Sequence, residues 1–246
     1  PDSFEESLKI LKYAETVGIT KIICTPHFIE GSYDNFSDKV ISVFDNLKQK
    51  AKEENIKIEL YPGAELYFDT ELIEKILSKK VLTLNNGKYA LIEFPMVSIP
   101  KGAQEIFYKM QLKGYFPVLC HPERNQEIVN NYRLIKDFTS RGVYIQINTG
   151  SLLGNYGTAI KNAAIELIKE KNVHFIASDA HKLDKKIMDF NKCLSIISKY
   201  IEVEKAVNLV TENPMKILKS IEFFSDEEET ENTEGFLKKF IKYISG

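Results

Sequence analysis

The sequence predicts an α/β fold built on a parallel sheet, and three observations carry that prediction. Short apolar, β-branched runs alternate with longer runs of helical periodicity. The short runs are nearly continuous in apolar residues, as in strands buried on both faces. Each short run also ends in polar residues that do not belong in a core. Six such units over about 200 residues fit either a doubly wound sheet or a (β/α) barrel. No GxGxxG or GxxxxGK follows any strand, which weakens the nucleotide-binding version.

The elements follow in order. Ser3 and Glu6 have capping-box spacing, and apolar residues recur at Leu8, Leu11 and Ala14 until Gly18 stops the helix. Strands are predicted at 20–25, 56–61, 89–94, 116–120, 143–147 and 173–177. Helices are predicted near 35–54, 69–80, 102–114, 131–141 and 157–171, then near 186–200, 202–211 and 214–221. The predicted domain ends at about 222. Residues 223–234 read as an acidic linker, with six carboxylates within 225–234. Residues 235–246 read as a basic amphipathic helix, with Phe236, Leu237, Phe240, Ile241 and Ile244 set against Lys238, Lys239 and Lys242. That helix would serve self-association, docking on the barrel, or contact with a membrane surface.

Composition narrows the class of function. The 246 residues are 43% hydrophobic and 28% charged, which excludes collagen-like and low-complexity readings. A net charge of −2 gives no footprint for nucleic acid. No apolar run is long enough for a transmembrane helix. Three Cys cannot form a fully paired framework, which favours a reducing, cytoplasmic setting.

Chemistry gathers where the strands end. The ends read Thr25-Pro26-His27, Gly63-Ala64-Glu65, Glu93-Phe94-Pro95, His121-Pro122-Glu123-Arg124, Asn148-Thr149-Gly150-Ser151 and Ser178-Asp179-Ala180-His181. In a parallel sheet these ends form one rim, so three His and several carboxylates converge. Imidazole with carboxylate is a donor set for divalent transition metals. Singly, each motif has a blander reading. TPH is a common loop triplet, and HPER suits an ordinary turn with a surface ion pair. Glu93, which closes an apolar strand, is costly to leave unpaired. Asp179 and His181 share one side of an extended segment. His174 falls at the opposite rim and reads as structural. Cys24 and Cys120 read as small buried residues, and neither has the Arg spacing of a cysteine-based phosphatase loop. Phe28, Tyr33, Phe94 and Tyr156 suit either contact with a substrate ring or packing.

With these motifs in this order, the chain resembles the polymerase and histidinol phosphatase (PHP) superfamily. More narrowly, it resembles the CpsB/CapC/YwqE family of manganese-dependent protein tyrosine phosphatases of bacterial capsule and exopolysaccharide loci. The matching segments are TPH at 25–27, GAE at 63–65, IEF at 92–94, HPER at 121–124, QINTGSLLG at 146–154 and SDAH at 178–181. The resemblance implies a distorted (β/α)7 TIM-like barrel holding two or three ions, manganese foremost, with iron, zinc or cobalt as alternatives. It implies His27, Glu65, Glu93, His121, Asp179 and His181 as ligands, Glu93 as a bridge between ions, and Arg124 as the holder of substrate phosphate. Where the family carries a second Arg after SDAH, Lys186 would substitute as a phosphate-holding charge, without a bidentate fork. The implied substrate is a phosphotyrosine tail of a membrane tyrosine autokinase, reached from the cytoplasm or from the periphery of the inner membrane.

One departure shapes the expectation. The family opens with a His-x-His strand and an Asp-Asp-Gly turn, and the present sequence begins at Pro1 without them. The sequence therefore predicts six strands where the family has seven, with the first strand missing. Three alternatives stand beside the phosphatase: another PHP phosphoesterase such as a histidinol-phosphate phosphatase, a catalytically depleted module that binds a phosphotyrosine tail, and an amidohydrolase.

Overall fold

A computed structural model describes residues 1–222. The acidic run and the segment 235–246 lie outside the described residues. The chain opens with helix α1 (Phe4–Thr16), where Ser3 Oγ accepts from the Glu6 amide at 3.2 Å. The helix ends at Gly18, whose φ of +88° suits a residue without a side chain. Strands β1 (Lys21–Cys24) and β2 (His27–Phe28) follow, then α2 (Ser37–Glu53), then β3 (Glu59–Pro62) and β4 (Glu65–Tyr67). Both predicted strands in this region are therefore present but broken in two. The Thr25-Pro26 step interrupts the first and Gly63-Ala64 the second. The gaps are bridged where the Glu65 amide donates to Pro26 O at 3.0 Å.

From there, α3 (Leu72–Leu77), β5 (Tyr89–Glu93), α4 (Ala103–Leu112) and β6 (Phe116–Cys120) lie within or beside their predicted ranges. Helices α5 (Gln126–Asn130) and α6 (Leu134–Thr139) lead to β7 (Tyr144–Asn148). Helix α7 (Thr149–Leu153) follows β7 without a linker and was not expected. Then come α8 (Thr158–Lys169), β8 (Phe175–Ala177), α9 (Phe190–Ile197), α10 (Val203–Asn208) and α11 (Glu212–Lys219).

Among the described residues every ladder between named strands is parallel. β1 pairs with β3, and the main sheet runs β2-β4-β5-β6-β7-β8. The order follows the chain with no reversal, which is barrel-like succession and not a doubly wound sheet. Among the described residues no ladder joins β8 back to β1 or β2.

The two faces of the sheet separate cleanly. Ala90, Ile92, Leu119, Ile145, Ile147 and Ile176 belong to the core shared with the helices. Their alternating neighbours Tyr89, Leu91, Val118, Cys120, Tyr144 and Phe175 form a second cluster. Tyr89 on β5 and Phe175 on β8 have ring centroids 6.4 Å apart. Strands three apart in a flat sheet would stand about 14 Å from each other. The sheet is therefore strongly curled around that inner cluster. A third cluster packs α1 and α2 on β3 and takes in Ile187 and Met188, from beyond the last strand. No described helix is long and apolar enough to cross a membrane.

Candidate metal centre

The inner face changes character at the carboxyl end of the sheet. Glu93 closes β5, His121 follows β6, Asn148 closes β7, and Asp179 follows β8. His27 and Glu65 open β2 and β4 as register partners. Six residues distant in sequence thus share one rim.

Glu65 Oε1 lies 3.3 Å from both His27 Nδ1 and His121 Nε2. Glu93 reaches the same two rings with different oxygens, Oε2 at 3.9 Å from His27 Nδ1 and Oε1 at 3.6 Å from His121 Nε2. His27 Nε2 faces His181 Nε2 at 2.9 Å, with the rings stacked at 28°. Asp179 Oδ2 accepts from Asn148 Nδ2 at 2.8 Å and lies 3.5 Å from Arg124 Nη1.

The electrostatics are those of a site with too much negative charge. Burial opposes the ionised form of Glu65, but His121 and His27 outweigh it and hold its carboxyl down at about 2. Glu93 is pushed up, by burial first and then by the Glu65 charge. His27 is raised chiefly by Glu65. Burial works against the imidazolium of His121, yet the Glu65 carboxylate, aided by Glu123 and Asp179, raises it. The acidic partners thus favour positive charge on both rings.

A divalent ion suits this donor set. His27 Nδ1 is buried with no aligned hydrogen bond, although two carboxylates lie within 3.9 Å. Oxygen and nitrogen ligands bound at about 2.1 Å stand about 3.4 Å apart around a tetrahedral ion, close to the 3.3–3.9 Å separations here. Two groups, His27 with Glu65 and Glu93, and Glu65 with Cys120 and His121, gather their donor atoms tightly enough to hold an ion.

The rim is reached by unusual backbone. His121 has φ 34° and Asp179 φ 51°, in the left-handed region that side chains rarely adopt. The expectation of an extended Asp179–His181 segment is therefore corrected. His181 instead folds back, with Nδ1 3.1 Å from the Asp179 carbonyl. Strain of this kind collects where side chains must be aimed.

Other expectations divide. Arg124 lies at the rim, its guanidinium 4.8 Å from the Tyr156 ring centroid. Lys186 is exposed, and among the described residues its ammonium makes no ion pair with the cluster; its amide donates to Asp184 Oδ1. Phe28 and Phe94 are buried packing residues, while Tyr33 and Tyr156 are open at the rim. His174 is at the far end, where its Nδ1 accepts from the Ile145 amide at 3.1 Å. Cys120 is fully buried, its thiol raised by burial and by nearby carboxylates. Cys24 is pushed up to about 11 by burial.

Two residues named among the strand ends received no role in the sequence reading. Glu123 is wholly buried and not a surface turn residue; its Oε1 accepts from the Asn148 amide at 2.9 Å and from Ser151 Oγ at 2.6 Å. Asn148 ties that carboxylate to Asp179. For Asn148 the signal was a polar residue closing an apolar strand, the signal that singled out Glu93; Glu123, in the turn after β6, carried none of that kind.

Comparison with known proteins agrees with this geometry. The CpsB/CapC family model, described as capsular polysaccharide synthesis, matches residues 1–219. Tyrosine-protein phosphatase YwqE of Bacillus subtilis is 35% identical over 219 residues, covering 89% of this chain and 86% of its own. Tyrosine-protein phosphatase CpsB of Streptococcus agalactiae is 31% identical over 225 residues, covering 89% of this chain and 93% of its own. Among solved structures, one from work on YwqE of Bacillus subtilis and CpsB of Streptococcus pneumoniae, described as unique metal-dependent tyrosine phosphatases, matches with a TM-score of 0.84. It is 32% identical and covers 94% of each chain.

Proposed function

The chain belongs to the CpsB/CapC family of capsular polysaccharide synthesis, and from that premise we propose that it is a metal-dependent protein-tyrosine phosphatase. The observation that carries the reading is the convergence of Glu65 and Glu93 on both His27 and His121, with Asp179, His181 and Arg124 beside them. Relatives named tyrosine-protein phosphatases favour phosphotyrosine over histidinol phosphate.

In this reading His27, Glu65, Glu93, His121, Asp179 and His181 hold two or three ions, with manganese the first choice and iron, zinc or cobalt compatible with the same donors. What such ions supply when bound is Lewis acidity, which lowers the pKa of water and offsets phosphoryl charge. Glu93, which turns one oxygen toward each imidazole, would be a ligand shared between ions. Arg124 offers charged donors to the phosphoryl oxygens and stabilises charge as the phenolate leaves. Asn148 holds Asp179 in place, and Glu123 holds Asn148. Burial pushes the thiols of Cys24 and Cys120 up, away from the reactive thiolate, so neither is read as the nucleophile and that role falls to water.

The curled sheet is then read as part of a (β/α)7 barrel forming the catalytic domain 1–222, with 223–234 a linker and 235–246 a basic contact segment. The substrate is taken to be the phosphotyrosine tail of a membrane tyrosine autokinase, met in the cytoplasm. The test is hydrolysis of a phosphotyrosine peptide beside histidinol phosphate, with added manganese and with chelator. Chelator-sensitive turnover of the peptide supports the reading. Peptide binding without turnover in excess manganese would replace it with a binding module.

A further inference from the structure

We propose that Tyr156 is a positioning residue for Arg124: its ring is the platform on which the guanidinium rests, and Gly150 is the position that lets the ring lie there. The role given to Arg124 rests on the phosphatase reading; the geometry of its support does not.

Arg124 has little else to hold it. Among the described residues its one ion pair is with Asp179 Oδ2 at 3.5 Å, and its side chain is about a quarter exposed. A long side chain so loosely tethered loses rotamer freedom when a phosphate arrives. Beneath it the Tyr156 centroid lies 4.8 Å from Arg124 Cζ, within cation–π range. The Tyr156 ring in turn presses on helix α7. A Cβ on Gly150 would stand 2.9 Å from Tyr156 Cε2 and 3.1 Å from Cζ and Oη. Any larger residue at 150 would drive the ring away.

Helix α7 is itself fixed. Glu123 Oε1 takes hydrogen bonds from the Asn148 amide and Ser151 Oγ. Thr149 Oγ1 donates to Ile187 O. Glu123 and Arg124 are adjacent in sequence, so the contacts close a loop: Arg124 on Tyr156, Tyr156 on Gly150, Gly150 beside Ser151, and Ser151 on Glu123. The loop presents the guanidinium already oriented. Lys186 is exposed and, among the described residues, forms no ion pair with the cluster, whereas Arg124 pairs with Asp179 at the rim.

The experiment compares Tyr156→Leu, Tyr156→Phe and Gly150→Ala in the full chain. Three readouts are taken: KM and kcat for a phosphotyrosine peptide, inhibition by inorganic phosphate, and the ring-current shift of the Arg124 Nε–H resonance. Metal content is measured on each variant. Tyr156→Leu is expected to raise KM and the phosphate inhibition constant about fivefold to tenfold, with a smaller change in kcat and unchanged metal content. Gly150→Ala moves the same way, and Tyr156→Phe stays within about twofold because the ring face is kept. The Arg124 resonance loses its shift in Tyr156→Leu and keeps it in Tyr156→Phe. An unchanged resonance or unchanged phosphate inhibition in Tyr156→Leu overturns the proposal. So does a Phe variant as impaired as Leu, which would assign the effect to the hydroxyl. Loss of metal-dependent turnover in the unaltered chain would defeat the phosphatase reading instead, and the resonance would still report on Arg124.

Discussion

At the carboxyl end of the sheet Glu65, Glu93, His121 and Asp179 face one another; at the amino end the same curl is closed by Tyr89, Phe116, Tyr144 and Phe175. Neighbouring rings there stand 5.0–6.4 Å apart, mostly tilted or edge-on. Leu91, Val118 and Cys120, in the same cluster as the rings, fall along β5 and β6 between the two ends. One residue type samples both ends. His121 is as buried as a core residue, yet carboxylates raise its pKa. His174, against Tyr144 at 5.1 Å, is pushed down by burial to about 4. A parallel sheet gathers like ends together, so it can concentrate charge at one rim and pack apolar rings at the other. The aromatic end contributes stability, and the polar end gives some of it up for binding.

The comparison breaks first at the polar end. His121→Ala or Asp179→Ala should remove bound metal and lower phosphotyrosine hydrolysis by roughly a thousandfold or more, with the fold retained by circular dichroism. Full activity in either variant would place the chemistry elsewhere. The mirror experiment is Tyr89→Ala. It empties the centre of the aromatic cluster and should cost about 3–5 kcal/mol in urea unfolding. Its kcat per folded molecule should stay within about twofold of the unaltered chain, since nothing at the rim is touched. If activity collapses while the protein remains folded, the two ends are coupled and the division is false.

Glu123 sharpens the boundary, because it is structural in burial and functional in position. Removing it as Glu123→Ala leaves the buried Asn148 amide unpaired, at about 1–3 kcal/mol. It also loosens Asn148 from Asp179, so metal affinity should fall about tenfold or more. Calorimetric titration with manganese beside thermal unfolding separates the two effects. A stability loss with unchanged affinity would make Glu123 a fold residue only.

Strand positions were legible in the sequence because six apolar, β-branched runs had nowhere else to go. The rim was legible because Glu93, His121 and Asp179 interrupt or follow such runs. What the sequence hid depended on tertiary partners. Glu123 reads as a surface acid until Asn148 and Ser151, 25 and 28 residues away, are brought to it. Helix α7 is five residues long, too short for periodicity to register. The left-handed turns at His121 and Asp179 carry no local signal such as glycine. The breaks within the first two strands lie at Pro26 and at Gly63, where a Cβ would stand 3.0 Å from Ile23 Cγ2. Those residues are visible in the sequence, but their effect is not.

The smallest expected effect tests the amino end alone. His174 Nδ1 accepts from the Ile145 amide, so it must be unprotonated in the folded protein. With a folded pKa of about 4 against a reference of 6.5, the unfolded chain binds a proton between those values that the folded chain does not. Stability therefore rises with pH across that window. The contribution is fully present above about 6.5, declines as pH falls, and levels off below about 4. His174→Gln does not titrate there, so acidification from pH 7 to 4.5 should cost the unaltered chain roughly 1–3 kcal/mol more than the variant. Carboxylates at the rim titrate alike in both proteins and cancel in the difference. A difference in unfolding free energy that stays constant with pH would mean that His174 is hydrated, and that the aromatic end is less closed than its packing implies.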